Sequence, residues 1–261
     1  MKKILALMLA VLMVVACFTG CAPKGKTLAQ VKEAGKLVIA TSPDFEPFEY
    51  LDGDKVVGIE IEILELVCKE LGVELEIEQI AFESVLNGIQ AAKYDVAVSG
   101  ITVTDARKKN MLFTDAYYEA AQAIVVKEGS AIASKADLAG KKVSVQTGTT
   151  ADEFCMTNGY TVSAFEANPD AQSALTSGKV DAWVIDNCTA EVMVEEYNAS
   201  NTEKLVILDE AMTTEPYAFA FAFGSEDLVE EINKIVNKLV ADGTIKGIFE
   251  KYETVYEAPK K

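Results

Sequence analysis

Residues 60–80 read EIEILELVCKELGVELEIEQI, and two periodicities meet inside that stretch. From Glu60 to Leu71 the apolar side chains Ile63, Leu64, Val67 and Leu71 recur on one helical face, and Gly72 supplies the stop. From Val73 to Ile80 the period drops to two, with apolar and acidic residues alternating as in a half-buried strand. Working outward, Leu37–Thr41 is a short buried strand, Phe82–Ala92 a helix and Tyr94–Ser99 another strand. The order βαβαβ implies a parallel sheet with helices on its faces.

A second series of the same kind begins at Lys142. Strands are expected at Lys142–Gln146, Thr161–Phe165, Val180–Ile185 and Leu205–Leu208. Helices are expected from Thr149 to Asn158 (Thr149 or Thr150 as N-cap), from Pro169 to Ser177 with Gly178 beyond, and from near Thr189 to Tyr197. Tyr217–Phe223 returns to strand. A helix follows with Leu228, Ile232, Ile235, Val236, Leu239 and Val240 at 3.6-residue spacing, broken at Asp242-Gly243-Thr244 before a last helix to Tyr252. Two βα sets in one chain predict two lobes rather than one long sheet.

Composition narrows the chemistry. The chain of 261 residues carries 24 basic and 41 acidic side chains, a formal charge of −17. A phosphate backbone repels such a surface, so no nucleic-acid partner is expected. Histidine is absent, which removes the usual general base and the commonest transition-metal ligand. Cys17, Cys21, Cys68, Cys155 and Cys188 contain no Cys-x-x-Cys pair, so neither a zinc site nor a dithiol motif is expected. Spacing leaves open whether Cys155 and Cys188 pair. No cofactor and no metal are expected.

The N-terminus reads as an address. Lys2 and Lys3 precede an apolar run, Ile4–Phe18, too short for a comfortable membrane span and ordered like a secretory signal. Phe18-Thr19-Gly20-Cys21 resembles the bacterial lipobox, with Phe18 where leucine is usual. Residues 1–20 are thus expected to be a signal peptide, Cys21 the lipidated residue (Cys17 being the competing acceptor) and 21–26 a tether. The protein is expected to be exported and held at the outer face of the cell membrane, on the periplasmic side where a cell has two.

Four landmarks carry a family resemblance. They are Ser42-Pro43-Asp44-Phe45-Glu46-Pro47-Phe48-Glu49-Tyr50; Val57-Gly58-Ile59-Glu60-Ile61-Glu62; Ser99-Gly100-Ile101-Thr102-Val103-Thr104-Asp105-Ala106-Arg107; and Gln146-Thr147-Gly148-Thr149-Thr150 with Val180-Asp181-Ala182-Trp183-Val184-Ile185-Asp186. In this order, from about Thr27 to Tyr252, the chain resembles the polar amino-acid solute-binding proteins of ABC transporters. The resemblance implies an α/β, two-lobed clamp of the type II periplasmic-binding-protein kind, each lobe a mostly parallel sheet flanked by helices. Lobe one would comprise 27–117 and 217–261 and lobe two 118–216, with crossings near Tyr117–Ala121 and Thr213–Tyr217. It also implies a monomeric receptor, not an enzyme, that takes a free α-amino acid to an ABC permease.

An amino-acid zwitterion needs an anion site and a cation site away from bulk water. For the carboxylate the resemblance implies the planar fork of Arg107, the Thr102 amide and the Thr150 amide at a helix N-terminus. For the ammonium it implies Asp186, the Gly100 carbonyl and the Thr102 hydroxyl. Phe45 and Phe82 would pack on the ligand side chain, although either also reads as core, and Asp186 also reads as a helix N-cap. Ser42, Ser99, Gln146 and Thr149 complete the expected set. The uncharged Ser42, where some relatives carry an acid, favours a neutral, polar or modestly apolar ligand. Two rivals share the fold: an enzyme of cyclohexadienyl dehydratase type and a sensing module for a signalling partner.

Overall fold

The computed structural model describes residues 23–259. The expected signal peptide and the acceptor Cys21, with its competitor Cys17, lie outside the described residues.

In chain order the first strands are β1 (Lys36–Thr41), β2 (Asp44–Phe45), β3 (Glu49–Asp52), β4 (Lys55–Val57), β5 (Glu74–Gln79), β6 (Val96–Ala97) and β7 (Leu112–Phe113). Two short and long segments, β8 (Tyr118–Ala120) and β9 (Gln122–Lys127), lead into β10 (Lys142–Gln146), β11 (Thr161–Phe165), β12 (Ala182–Asp186) and β13 (Leu205–Ile207). The chain then returns through β14 (Glu215–Tyr217) to β15 (Ala220–Phe221). One five-stranded sheet has the order β5-β1-β6-β15-β7, the other β11-β10-β12-β9-β13. In each, the three strands of the βα series run parallel while the returning strands are antiparallel. Between the sheets β8 and β14 pair antiparallel, Tyr118 opposite Tyr217. The fold is the two-lobed α/β arrangement expected.

The deciding stretch behaves as its periodicities require. The helix Ile59–Leu71 buries Ile63, Leu64, Val67 and Leu71, and Gly72 closes it in the left-handed conformation. β5 is an edge strand beside β1, which explains its alternating, half-exposed character. The helix starts at Gly58 because only glycine fits there: its φ is 132°, and a Cβ would lie 2.2 Å from the Phe48 carbonyl oxygen.

Several elements differ from expectation. Tyr217–Phe223 is two strands, because Tyr217 still pairs in the crossing while Ala220 has joined the first sheet. The helix expected from Thr189 begins at Asn187 and runs to Ser200. The β2–β4 meander and β8–β9 carry no sequence periodicity long enough to be read. An aromatic cluster of Phe48, Tyr118, Tyr217, Phe249 and Tyr256 packs across the crossing, with Tyr118 stacked on Phe249 at 4.7 Å. Cys68, Cys155 and Cys188 are buried free thiols, so Cys155 and Cys188 do not pair.

Candidate functional site

In parallel α/β sheets the strands' C-terminal ends face a crevice where loops and helix N-termini converge. Here two such edges face each other. The first sheet presents the segments after β1 and β6, the second the ends of β10 and β12. The narrow cavity between them is lined by Phe45, Phe82, Ser99, Gly100, Thr102, Arg107, Gln146, Thr149, Thr150 and Asp186. Every expected ligand residue except Ser42 therefore meets in one place. Ser42 stands one step behind the wall, its backbone N–H donating to Ser99 Oγ at 3.2 Å and its hydroxyl to Asp44 Oδ1 at 2.9 Å.

Arg107 opens a short 3-10 turn, and its guanidinium is steered by fixed carbonyls. Nη1 donates to the Thr102 carbonyl at 3.0 Å and Nη2 to the Gly148 carbonyl of the opposite lobe at 3.3 Å. The group stands 5.7 Å over the Phe82 ring. Burial lowers its pKa, while Glu215 and Asp186 pull the other way, leaving it a cation. Phe82 is nearly fully buried yet lines the cavity, and Phe45 does the same, so each is at once core and wall.

Asp186 settles an ambiguity of the sequence. It occupies the N-cap position of the helix Asn187–Ser200 but makes no side-chain cap hydrogen bond. Its Oδ1 is buried, and no donor among the described residues reaches it. Burial first, then Glu215, push its carboxyl up to about 7, against the pull of Tyr217 and Gln122. A buried carboxylate oxygen without a donor is costly, and a donor entering the cavity would relieve that cost.

Thr149 caps the helix Thr150–Thr157, accepting from the Asp152 N–H at 3.2 Å and donating to the Gln146 carbonyl at 2.7 Å. Its hydroxyl is thus spent on positioning, and the helix N-terminus, with Thr150 first, faces the cavity with the positive end of its dipole. Gly100 needs its positive φ of 53°, since a Cβ would stand 2.6 Å from the Phe45 ring. Its N–H donates to Glu60 Oε2 at 3.0 Å.

Sequence reasoning missed the acids behind the wall. Glu49 Oε1 accepts from the Ser99 hydroxyl at 2.8 Å, and Glu60 accepts from Tyr117 and Gly100. Both carboxyls are fully buried and lie against each other. Burial first, and Glu60 second, push the Glu49 carboxyl well above its ordinary range. Asp44, pushed up by burial against hydrogen bonds from Asn168, Ser42 and Gln146, stands beside Ser42. Glu49 and Asp44 lie in the quoted motif, where nothing distinguishes them from a solvated loop. Glu60 reads as an ordinary first-turn helix acid. Gln146, an expected ligand group, is engaged at both ends of its amide, by Asp44 at 3.0 Å and by Asn168 Nδ2 at 3.0 Å.

Among the described residues no cluster of three metal-binding side chains occurs, and no helix is long and apolar enough to cross a membrane. The family model for bacterial extracellular solute-binding proteins, family 3, matches residues 37–255. The arginine-binding extracellular protein ArtP of Bacillus subtilis is 32% identical over 262 residues, covering 97% of this chain and 99% of the relative. The L-cystine-binding protein TcyJ of Escherichia coli is 30% identical over 230 residues, covering 86% of this chain and 85% of the relative. The amino acid ABC transporter substrate-binding protein AbpA of Streptococcus pneumoniae, solved bound to L-arginine, superposes with a TM-score of 0.79. It is 34% identical, with 86% of this chain and 97% of that one covered.

Proposed function

Since the chain belongs to family 3 of the bacterial extracellular solute-binding proteins, we propose that it captures a free α-amino acid between two closing lobes and delivers it to an ABC importer. The observation that carries this reading is the pairing, in one cavity, of a half-buried arginine with a half-buried aspartate whose buried Oδ1 lacks a donor. The ligand carboxylate takes the Arg107 fork and the Thr102 and Thr150 N–H groups. Its ammonium takes Asp186, the Gly100 carbonyl and the Thr102 hydroxyl. Arg107 and Thr102 belong to lobe one (27–117 and 217–261), Thr150 and Asp186 to lobe two (118–216). A ligand bridging them favours the closed form by its differential affinity.

The side chain would then run past Phe45 and Phe82 toward Ser99 and Gln146. The acids behind those residues, Glu49 and Glu60, weigh against the neutral ligand suggested by Ser42 alone. A cationic or donor-rich side chain is the better match, and relatives named for arginine and cystine agree with that chemistry. We take the protein to be a receptor and not an enzyme, because no cavity residue is demanded as a catalyst once the zwitterion contacts are filled, and the chain has no histidine. It would act as a monomer, exported and anchored through Cys21.

Thermal-shift measurements on residues 24–261 against the twenty amino acids plus cystine and ornithine test the reading. A rise in Tm with arginine or another amino acid is expected from native-state linkage. No shift with any of them, in protein freed of co-purified ligand, refutes it, and turnover of a prephenate-like substrate would replace it with the dehydratase.

A further inference from the structure

The helix Asn168–Thr176 of the second lobe begins without a cap of its own. Its N-cap residue is Ala167, which has no acceptor to offer, and the first free N–H groups of a helix need one. The acceptor comes from the other lobe. Asp44, on β2, places Oδ2 2.8 Å from the Asn168 N–H, at the positive end of the helix dipole. The same oxygen accepts from Gln146 Nε2 at 3.0 Å, and Oδ1 accepts the Ser42 hydroxyl at 2.9 Å. Gln146 is held in turn, its Nε2 donating also to the Glu166 carbonyl at 3.1 Å and its Oε1 accepting from Asn168 Nδ2 at 3.0 Å. One carboxylate of the first lobe is thus bound by two donors of the second, and a helix terminus of the second lobe is completed only when the lobes meet.

We propose that Asp44 is a closure clasp: a lobe-one residue that caps a lobe-two helix in trans and so sets how much of the protein is closed before ligand arrives. The inference goes beyond the ligand contacts but rests on the two-lobed receptor reading. Arg107 also bridges the lobes, through the Gly148 carbonyl, yet it is a ligand group and its bond is redistributed when a carboxylate binds. Asp44 has no such duty. When the lobes part, water must take over the Asn168 N–H, the Gln146 amide and the Asp44 carboxylate, so the clasp contributes only to the closed form. Because apparent affinity scales with the competent fraction, loss of the clasp weakens binding without removing a ligand contact.

The test compares wild type with Asp44→Ala, Asp44→Asn and the double variant Asp44→Ala/Ala167→Ser. The serine supplies the helix with a cap from within its own lobe. Arginine affinity is read by calorimetry and stability by thermal unfolding. Lobe separation is read, without ligand, from spin labels at Asn87→Cys and Lys179→Cys, both exposed and on opposite lobes. Loss of a cap predicts affinity weaker by roughly tenfold, carried by faster dissociation, with longer unliganded distances in both Asp44 variants. Ala167→Ser should restore the melting temperature and leave affinity and distances as in Asp44→Ala. Unchanged affinity and distances in the Asp44 variants would overturn the clasp, as would Ala167→Ser restoring affinity along with stability, since that marks a local role in lobe two. Should no version bind any amino acid, the receptor reading fails, while the unliganded distances still decide the clasp.

Discussion

Asp186→Asn separates function from stability in opposite directions. In the closed cleft the Asp186 carboxyl is raised from its ordinary 3.8 to about 7, chiefly by burial and then by Glu215. A carboxyl whose folded pKa exceeds its unfolded one binds more protons when native, so its ionisation destabilises the fold. The unliganded protein should gain stability as pH falls from about 7 toward 4. The full shift corresponds to a ceiling of roughly 4 kcal/mol at neutral pH, and partial hydration of the cleft reduces this to about 1–3 kcal/mol. The asparagine keeps the shape and removes the charge. At pH 7.5 the unliganded variant should therefore unfold at higher denaturant concentration than wild type, with the advantage vanishing near pH 4. Its amino-acid affinity should fall a hundredfold or more, because the ammonium loses the Asp186 charge while its desolvation remains (about 3–5 kcal/mol). Urea melts at pH 7.5 and 4.5 together with calorimetric titrations measure both. A variant less stable than wild type at pH 7.5, or one that binds normally, would refute the assignment of Asp186 as an ammonium site held in waiting.

Arg107→Ala should abolish measurable binding, a loss of a hundredfold or more, with melting temperature little changed; titration calorimetry and thermal unfolding check the two halves. Glu49→Gln should weaken arginine at least tenfold while leaving a neutral amino acid such as glutamine nearly unaffected. Equal losses for both would place Glu49 in the architecture of the Ser99 loop alone. Gly58→Ala must relieve a 2.2 Å contact with the Phe48 carbonyl and adopt a φ of 132°, so a destabilisation of about 2 kcal/mol or more is expected in denaturant unfolding.

Much of the cavity's lining was legible in the sequence. Arg107, Thr102, Gly100, Thr150 and Asp186 sit at strand ends and helix starts within short, contiguous motifs, and all of them line one cavity. The acids that set its electrostatics were not legible. Glu60 shares its helix turn with Glu62, and the two look alike in sequence. Yet Glu60 is fully buried against Gly100 and Tyr117, while Glu62 takes Tyr252 and Lys251 near the surface. Which of two neighbouring acids is desolvated depends on what packs over it, and that information lies elsewhere in the chain.

The sequence by itself determined whatever is local: the period of each helix and strand, the glycine stops, the βαβ order that demands parallel sheets, and the motif residues at the strand ends. Periodicity and capping act within a few residues, so a linear string records them. Only the tertiary structure decided how the two strand-end edges face each other. It made Asp186 an uncapped, raised carboxyl rather than a helix cap, pressed Glu49 against Glu60, and brought Asp44 to a helix that starts 124 residues away. Burial and long-range pairing change a side chain's charge and partners without changing its letter, and so they appear only once the chain has closed on itself.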